Sequence, residues 1–275
     1  KDELLTAFLK GLPFTLTNAQ QNAYQEISTD LNGVCPMLRL LQGDVGSGKT
    51  VVAALTALHA ISCGFQVAIM APTEILAEQH LANFGQWFRP LGIDVGWLSG
   101  KTKGAARGQQ LDELSSGKCQ LLIGTHALFQ DEVVYKQLGL IIIDEQHRFG
   151  VHQRLALRDK AAAGAVNPHQ LVMTATPIPR TLAMSAYADL DSSVIDELPP
   201  GRTPVNTAII SSTRRDEVID RIEKACDQGN QAYWVCTLIE ESEALQCEAA
   251  EVTADKLHHQ LPHISVGLIH GRMKP

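Results

Sequence analysis

The chain has 275 residues, of which 45% are hydrophobic and 19% charged, and its formal net charge is −7. This composition excludes a disordered chain and supplies enough apolar surface for a buried core. The acidic balance, 23 Lys and Arg against 30 Asp and Glu, excludes a protein that grips DNA by an overall positive field, so any contact with nucleic acid must be local.

Other broad classes are excluded by length and by cysteine spacing. No apolar run reaches the length of a membrane span, and the first residues lack the apolar region of a secretory signal. Six cysteines form no CxxC pair, so we expect reduced thiols in a cytoplasmic protein. At roughly 150 residues per domain the length corresponds to about 1.8 domains. Because position 1 is not methionine, we expect a piece of a longer protein.

Apolar strands and amphipathic helices alternate along the first 174 residues. Hydrophobic patterning predicts strands at residues 37–41, 66–71, 94–98, 119–124, 138–144 and 170–174. Helices are predicted at 50–62 and 74–88. Short apolar strands separated by helices indicate an α/β fold, with a parallel sheet covered on both faces.

Proline and glycine concentrate at residues 197–204, which we interpret as a linker. Alternation then resumes, with strands predicted at 205–210, 231–238 and 264–269 and helices at 215–228 and 242–260. The sequence therefore predicts a first domain over residues 1–196 and the N-terminal part of a second domain over 205–275.

Residues 43–50 read Gly-Asp-Val-Gly-Ser-Gly-Lys-Thr and satisfy the pattern G-x-x-x-x-G-K-[ST] between a strand and a helix. In this context backbone N–H groups cradle phosphate oxygens at a helix N-terminus. Lys49 is predicted to contact the β- and γ-phosphates, and the Thr50 hydroxyl is predicted to bind Mg²⁺. The remaining predicted ATP-binding positions of the loop are Gly43, Asp44, Gly46, Ser47 and Gly48.

A second motif, residues 140–147, reads Leu-Ile-Ile-Ile-Asp-Glu-Gln-His. Its acidic pair stands at the carboxyl end of a buried strand, where open α/β sheets bind ligands. Asp144 is predicted to hold Mg²⁺, and Glu145 to orient and deprotonate the attacking water. A polar turn without catalytic function is the alternative, and the neighbouring phosphate loop favours ATP hydrolysis.

Residues 144–151 (Asp-Glu-Gln-His-Arg-Phe-Gly-Val) and 174–181 (Thr-Ala-Thr-Pro-Ile-Pro-Arg-Thr) resemble the motor of the RecG family of bacterial ATP-dependent DNA helicases. The resemblance runs from residue 12 to residue 275. The Mfd family of transcription-repair coupling translocases is similar, but its acidic box usually reads Asp-Glu-Glu-His, so Gln146 favours RecG. The resemblance implies a superfamily 2 motor with two RecA-like P-loop NTPase domains, ATP between them and DNA across both.

The same resemblance implies an adenine-recognition motif near the N-terminus. Gln20, with Thr17, is expected to recognise the base, and Phe14 is expected to stack on it. Two alternatives stay open at this point: Gln20 as an ordinary exposed helix residue and Phe14 as part of the core.

The resemblance further implies residues that couple hydrolysis to domain movement. These are His147, Thr174 and Thr176, although a hydrogen-bonded loop histidine is the alternative for His147.

Candidate DNA contacts lie at strand ends and loops in both domains. The resemblance assigns this role to Thr73, Ser99, Gly100, Thr125, His126, Thr237, His270 and Arg272. Basic residues within 100–118 either lie beside the DNA or belong to a solvated helix face. The histidines at 258, 259 and 263 match no zinc spacing, so no metal other than Mg²⁺ is expected.

The implied function is a double-stranded DNA translocase that remodels branched DNA, such as stalled forks, in repair and recombination. A wedge domain is expected before residue 1 and an arginine finger beyond Pro275, so this piece is expected to bind ATP·Mg²⁺ but to hydrolyse it poorly and not to unwind DNA. The alternatives are an Mfd-like translocase acting on stalled RNA polymerase and a nucleotide-gated DNA-binding module. Neither a membrane partner nor an obligatory oligomer is expected.

Overall fold

The computed structural model describes residues 2–145, 167–176, 190–197, 203, 205–236, 250–271 and 273. The chain forms two compact units, residues 1–202 and 203–275. The division falls within the proline-rich segment 197–204.

Helices and strands alternate through the described part of the first unit. In chain order they are α1 (Asp2–Gly11), α2 (Asn18–Leu31), β1 (Leu38–Gly43), α3 (Lys49–Ser62), β2 (Gln66–Met70), α4 (Glu74–Phe88), β3 (Val95–Leu98), α5 (Gly104–Ser116), β4 (Leu121–Gly124), β5 (Leu138–Asp144), β6 (His169–Thr174) and β7 (Asp191–Ile195).

The strands form one seven-stranded sheet in the order β3-β4-β2-β5-β6-β1-β7. Every pairing is parallel, so the carboxyl ends of all seven strands lie at the same edge. In register, Met70 pairs with both Gly124 and Ile143, and Asp144 pairs with Met173. The loops that follow these strands are therefore neighbours.

Both faces of the sheet are buried, as a parallel sheet requires. Side chains alternate along β5: Leu140 and Ile142 join the apolar cluster that contains residues of α1, α2, α3 and α4. Ile141 and Ile143 join the cluster on the other face, which contains Leu114 of α5. The predicted α/β fold with a doubly covered parallel sheet is confirmed.

The predicted elements of the first unit form close to their predicted bounds. The helix at 74–88 and the strand at 138–144 have the predicted limits, and the other predicted elements agree to within two residues. Four of the helices and strands were not predicted: α1, α2, α5 and β7. The last is an edge strand whose residues are partly exposed, so it lacks the apolar run that identifies the inner strands.

The second unit contains two described helices, α6 (Arg215–Asp227) and α7 (Ala250–Gln260). Ile219, Leu257 and Leu261 form a small buried cluster. The guanidinium of Arg215 lies 4.8 Å from the centroid of the Trp234 ring.

The strands predicted in the second unit are wrong for the residues described. Residues 205–210, 231–236 and 264–269 belong to no strand. An apolar run becomes a strand of a parallel sheet only when it pairs with neighbours and both faces are covered. Five side chains in these runs are instead 80% to 102% exposed, namely those of Val205, Ile209, Tyr233, Val235 and Ile269.

Within the described ranges, no helix is long and apolar enough to cross a membrane. The five cysteines at described positions are free thiols.

Candidate nucleotide and nucleic-acid site

The predicted phosphate loop joins β1 to α3 through two glycines in the left-handed region. Gly46 has φ 76° and Gly48, the N-cap of α3, has φ 91°. L-residues rarely adopt this conformation. A Cβ at Gly48 would also lie 2.2 Å from Nε2 of Gln20, so a larger residue would in addition displace the Gln20 amide from its place beside the loop.

The side chain of Lys49 folds back over this loop. Its Nζ donates to the backbone carbonyls of Gly43 at 2.7 Å and Asp44 at 3.0 Å. Burial lowers the pKa of Lys49, and the nearby charges of Asp144, Glu145 and Asp44 only partly oppose this shift. The ammonium makes no ion pair with the residues described, so its positive charge is available to an anion.

Two features of the loop fit a bound triphosphate. The Ser47 hydroxyl is buried, and no described residue accepts or donates a hydrogen bond to it. The first N–H groups of α3 have no intrahelical partner and carry the positive end of the helix dipole. Together with Lys49, they form an anion-binding cradle at the end of β1.

Asp144 stands at the end of β5, and its carboxylate contacts α4. Oδ2 lies 2.8 Å from Nε2 of His80, which is 6% exposed. Oδ1 receives no hydrogen bond from the described part of the chain. One carboxylate oxygen therefore remains for a cation such as Mg²⁺, for which oxygen ligands are preferred.

Glu145 follows directly, with an unusual backbone conformation. Its φ of 51° is in the left-handed region, which costs a non-glycine residue about 1–3 kcal/mol. The backbone is held by a bond from the Glu145 N–H to the Met173 carbonyl at 2.9 Å. The side chain accepts a bond from the Ala175 N–H at 3.0 Å. Both contacts join Glu145 to the end of β6.

The predicted coupling residues of β6 lie at this contact. Thr174 Oγ1 is 2.9 Å from Thr176 Oγ1 and accepts from the Thr176 N–H at 3.2 Å. Because the sheet order is β5-β6-β1, the segment 174–176 lies between the acidic pair and the phosphate loop. The structure thus brings three predicted motifs to neighbouring strand ends.

A cavity of about 520 Å³ opens beside the phosphate loop, within the size range of small-molecule sites. Its lining includes Phe14, Thr17, Gln20, Gly48, Thr50 and Trp87. Phe14 is 46% exposed, so the alternative that it belongs to the core is wrong. An aromatic ring at the wall of this cavity is suited to stacking on a planar base.

Gln20 connects α2 to the phosphate loop. It forms a capping box with Thr17, in which Oε1 accepts from the Thr17 N–H at 3.0 Å. Its Nε2 donates to the Ser47 carbonyl at 2.8 Å, and the residue is 3% exposed, so the alternative of an ordinary exposed glutamine is wrong. One Nε2 hydrogen and one Oε1 lone pair remain for the edge of a base.

The predicted DNA contacts of the first unit cluster at the other half of the sheet edge, where β2, β4 and β3 end. Thr73 is the exposed N-cap of α4, with Oγ1 accepting from the Leu76 N–H at 3.3 Å. Ser99 is buried and Gly100 is exposed after β3.

Thr125 and His126 complete this cluster after β4. Thr125 is buried at the start of a short 3-10 turn, and His126, its first residue, is exposed. His126 and the Thr73 hydroxyl are therefore the accessible polar groups of two neighbouring strand ends.

Most basic residues around α5 are paired with carboxylates. Lys101 lies 2.5 Å from Glu74, and Lys118 lies 3.1 Å from Glu113. Arg107 pairs with Glu132 at 2.5 Å. Only Leu114 of α5 is buried, so the segment is a solvated helix whose positive charges are largely neutralised, which disfavours a role beside DNA.

The family model for DEAD/DEAH box helicases matches residues 17–185, more than half of the chain. The chain belongs to this family. Two relatives, the ATP-dependent DNA helicases RecG of Pasteurella multocida and of Escherichia coli K12, are each 62% identical to this chain. The matches cover 99% and 100% of the chain. The sequence resemblance to RecG is thereby confirmed.

A solved structure described as RecG bound to a three-way DNA junction agrees with this chain in fold. It has a TM-score of 0.77 and 39% identity, and the match covers 94% of this chain but 33% of that one. The chain likewise spans about 40% of the length of the curated relatives it matches.

Four predicted site positions need separate mention. His147, Thr237 and Arg272 lie outside the described residues. His270 is described in the second unit, where its Nε2 lies 3.5 Å from a Glu251 carboxylate oxygen.

Sequence reasoning missed His80 and Trp87, both on α4. His80 and Trp87 follow the N-cap Thr73 by seven and fourteen residues, so they lie along one face of α4. This helical spacing was the sequence signal from which they could have been predicted. The partners of these side chains depend on α4 following β2, which neighbours β5 in the sheet, and no local pattern contains that order.

Proposed function

We propose that this chain is the motor segment of an ATP-dependent DNA helicase that acts on branched DNA. The observation that best supports this proposal is the arrangement of motifs along one edge of the sheet. The phosphate loop, the segment 174–176 and the acidic pair occupy the adjacent ends of β1, β6 and β5. Residues 1–196 form the ATP-binding domain in this proposal, and residues 205–275 the beginning of a second RecA-like domain.

ATP is held by the loop and by the cavity beside it. Lys49 and the loop N–H groups bind the phosphates, while Phe14, Gln20 and Trp87 bind the base. Thr50 and Asp144 hold Mg²⁺, which when bound neutralises charge on the β- and γ-phosphates. The oxygen of Asp144 that has no described donor supports this assignment.

Glu145 orients and deprotonates the attacking water. Its bond to the Ala175 N–H supports a connection between this base and the coupling residues Thr174 and Thr176. A shift of the segment 174–176 would move the Glu145 carboxylate. A change at the coupling residues would therefore change the position of the general base. His147 is proposed to take part in the same coupling.

DNA contacts the other half of the edge. Thr73, Gly100 and His126 are exposed and supply hydroxyl, backbone and imidazole donors to the phosphate backbone, the group that positions proteins on DNA. For Ser99 and Thr125, which are buried at the same strand ends, a DNA contact stays a prediction. Contacts from the second unit are proposed for Thr237, His270 and Arg272. The net charge of −7 agrees with recognition through a few local groups.

Branched DNA is the proposed substrate because the RecG structure that this chain resembles is described as bound to a three-way junction. Repair and recombination are the processes in which such junctions arise.

A comparison of DNA substrates tests the proposal. ATP hydrolysis by the natural gene product is measured with a three-way junction and with linear duplex of equal total length, and we expect greater stimulation by the junction. If the junction and the linear duplex stimulated hydrolysis equally, and if the protein captured RNA polymerase in a pull-down, a transcription-coupled translocase would be identified instead. Strand separation that survives Glu145→Gln would identify a nucleotide-gated binding module.

A further inference from the structure

His80 is a buried polar residue on a largely apolar helix face. It is 6% exposed, and its ring makes an edge contact with Phe84, with centroids 6.2 Å apart. Nδ1 of His80 has no hydrogen-bond partner among the described residues. An apolar side chain would fill this position without leaving a buried nitrogen unpaired. The polar contact of the histidine is therefore the feature that needs a function.

That contact is with the carboxylate of Asp144. Nε2 and Oδ2 are 2.8 Å apart. An ionised carboxylate only accepts hydrogen bonds, so His80 Nε2 carries the hydrogen and donates the bond to Asp144. This bond fixes the rotation of the carboxylate and leaves Oδ1 as the oxygen without a described donor.

We propose that His80 is a positioning residue that orients Asp144 for the metal of the nucleotide site. This inference rests on the proposed function, because Asp144 is assigned there as the Mg²⁺ ligand. Residues that hydrogen-bond to metal ligands hold them in the coordinating orientation, and their loss typically weakens metal binding about 10- to 100-fold. His80 does this from α4, an element that contains neither the phosphate loop nor the acidic pair.

Three substitutions separate orientation of Asp144 from simple packing. His80→Leu fills the space but removes the donor. His80→Gln places an amide nitrogen near the position of Nε2, whereas His80→Asn is too short to reach Asp144. Phe84→Leu on the same helix is the matched control, because it disturbs buried packing without removing a polar contact.

The test measures binding of a fluorescent ATP analogue by this chain across a Mg²⁺ titration and in EDTA. We expect His80→Leu and His80→Asn to raise the Mg²⁺ concentration at half effect by about tenfold or more. His80→Gln and Phe84→Leu should stay close to the wild type, and affinity in EDTA should be equal for all.

Three results separate the possible failures. If the wild-type chain shows no Mg²⁺-dependent nucleotide binding, the proposed function fails. If it does, and folded His80→Leu or His80→Asn keeps the wild-type Mg²⁺ dependence, the assignment to His80 is overturned. The assignment would also be overturned if His80→Gln and Phe84→Leu weakened the Mg²⁺ dependence as much as His80→Leu does, because packing alone would then explain the effect.

Discussion

The Oε1 atom of Glu145 accepts a hydrogen bond from the backbone N–H of Ala175 at 3.0 Å, across the boundary between β5 and β6. The same glutamate has a φ of 51°, a conformation that a non-glycine residue adopts only when its surroundings hold it there. This contact joins the proposed general base to the proposed coupling segment.

Substitution of Glu145 by glutamine separates catalysis from binding. The amide oxygen can still accept from Ala175, but the side chain can no longer take a proton. We expect ATP hydrolysis by the natural gene product to fall about 10²- to 10⁴-fold. Nucleotide affinity, measured by fluorescence titration, should stay near the wild-type value. Hydrolysis at the wild-type rate would contradict the role of Glu145 as base.

Trp87 provides a test of the base cavity. Trp87→Leu removes an aromatic wall worth about 1 kcal/mol, or about fivefold in Kd, so ATP should bind this chain more weakly. Inorganic tripolyphosphate, which has no base, should bind equally to both proteins. Trp97→Leu is the matched control, because Trp97 belongs to β3 at the far edge of the sheet from β1. Parallel loss of tripolyphosphate affinity would mean that Trp87 supports the loop rather than the base.

His169 gives the first unit a predicted pH dependence. Burial lowers the pKa of His169 from its ordinary value of 6.5, with Asp30 opposing the shift. Its Nδ1 accepts the Met37 N–H at 3.0 Å, which requires an unprotonated nitrogen. The unfolded chain therefore takes up a proton at a higher pH than the folded chain does.

It follows that stability from this group is complete above about pH 6.5 and is lost as the pH falls through the lowered pKa of the folded state. We expect the thermal midpoint to decrease between neutral and mildly acidic pH. His169→Asn keeps an acceptor but does not titrate, so its midpoint should change less over the same interval. Identical pH profiles for the two proteins would show that His169 contributes nothing to this dependence.

The sequence predicted elements whose cause is local. Apolar periodicity defined α4 and β5, and the glycines of residues 43–50 identified the phosphate loop. The helix α2 was missed, although Thr17 and Gln20 have the spacing of a capping box, because its buried face contains few apolar residues.

Contacts between distant strands were not predictable. The bond between His80 and Asp144 depends on β2 lying next to β5, and the bond between Glu145 and Ala175 depends on β5 lying next to β6. The second unit shows the opposite error. Its apolar runs, such as 205–210, predicted strands. An apolar run forms a strand of a parallel sheet only where neighbouring strands pair with it and both faces are covered.

A titration of three-way junction DNA into an ATP hydrolysis assay tests whether hydrolysis at the phosphate loop depends on DNA. The rate is measured for the natural gene product and for Lys49→Ala, with circular dichroism to confirm that the variant is folded. We expect a rate that rises with DNA in the wild type and is lost in Lys49→Ala. A rate that does not change with DNA, or DNA-stimulated hydrolysis that persists in Lys49→Ala, would contradict it.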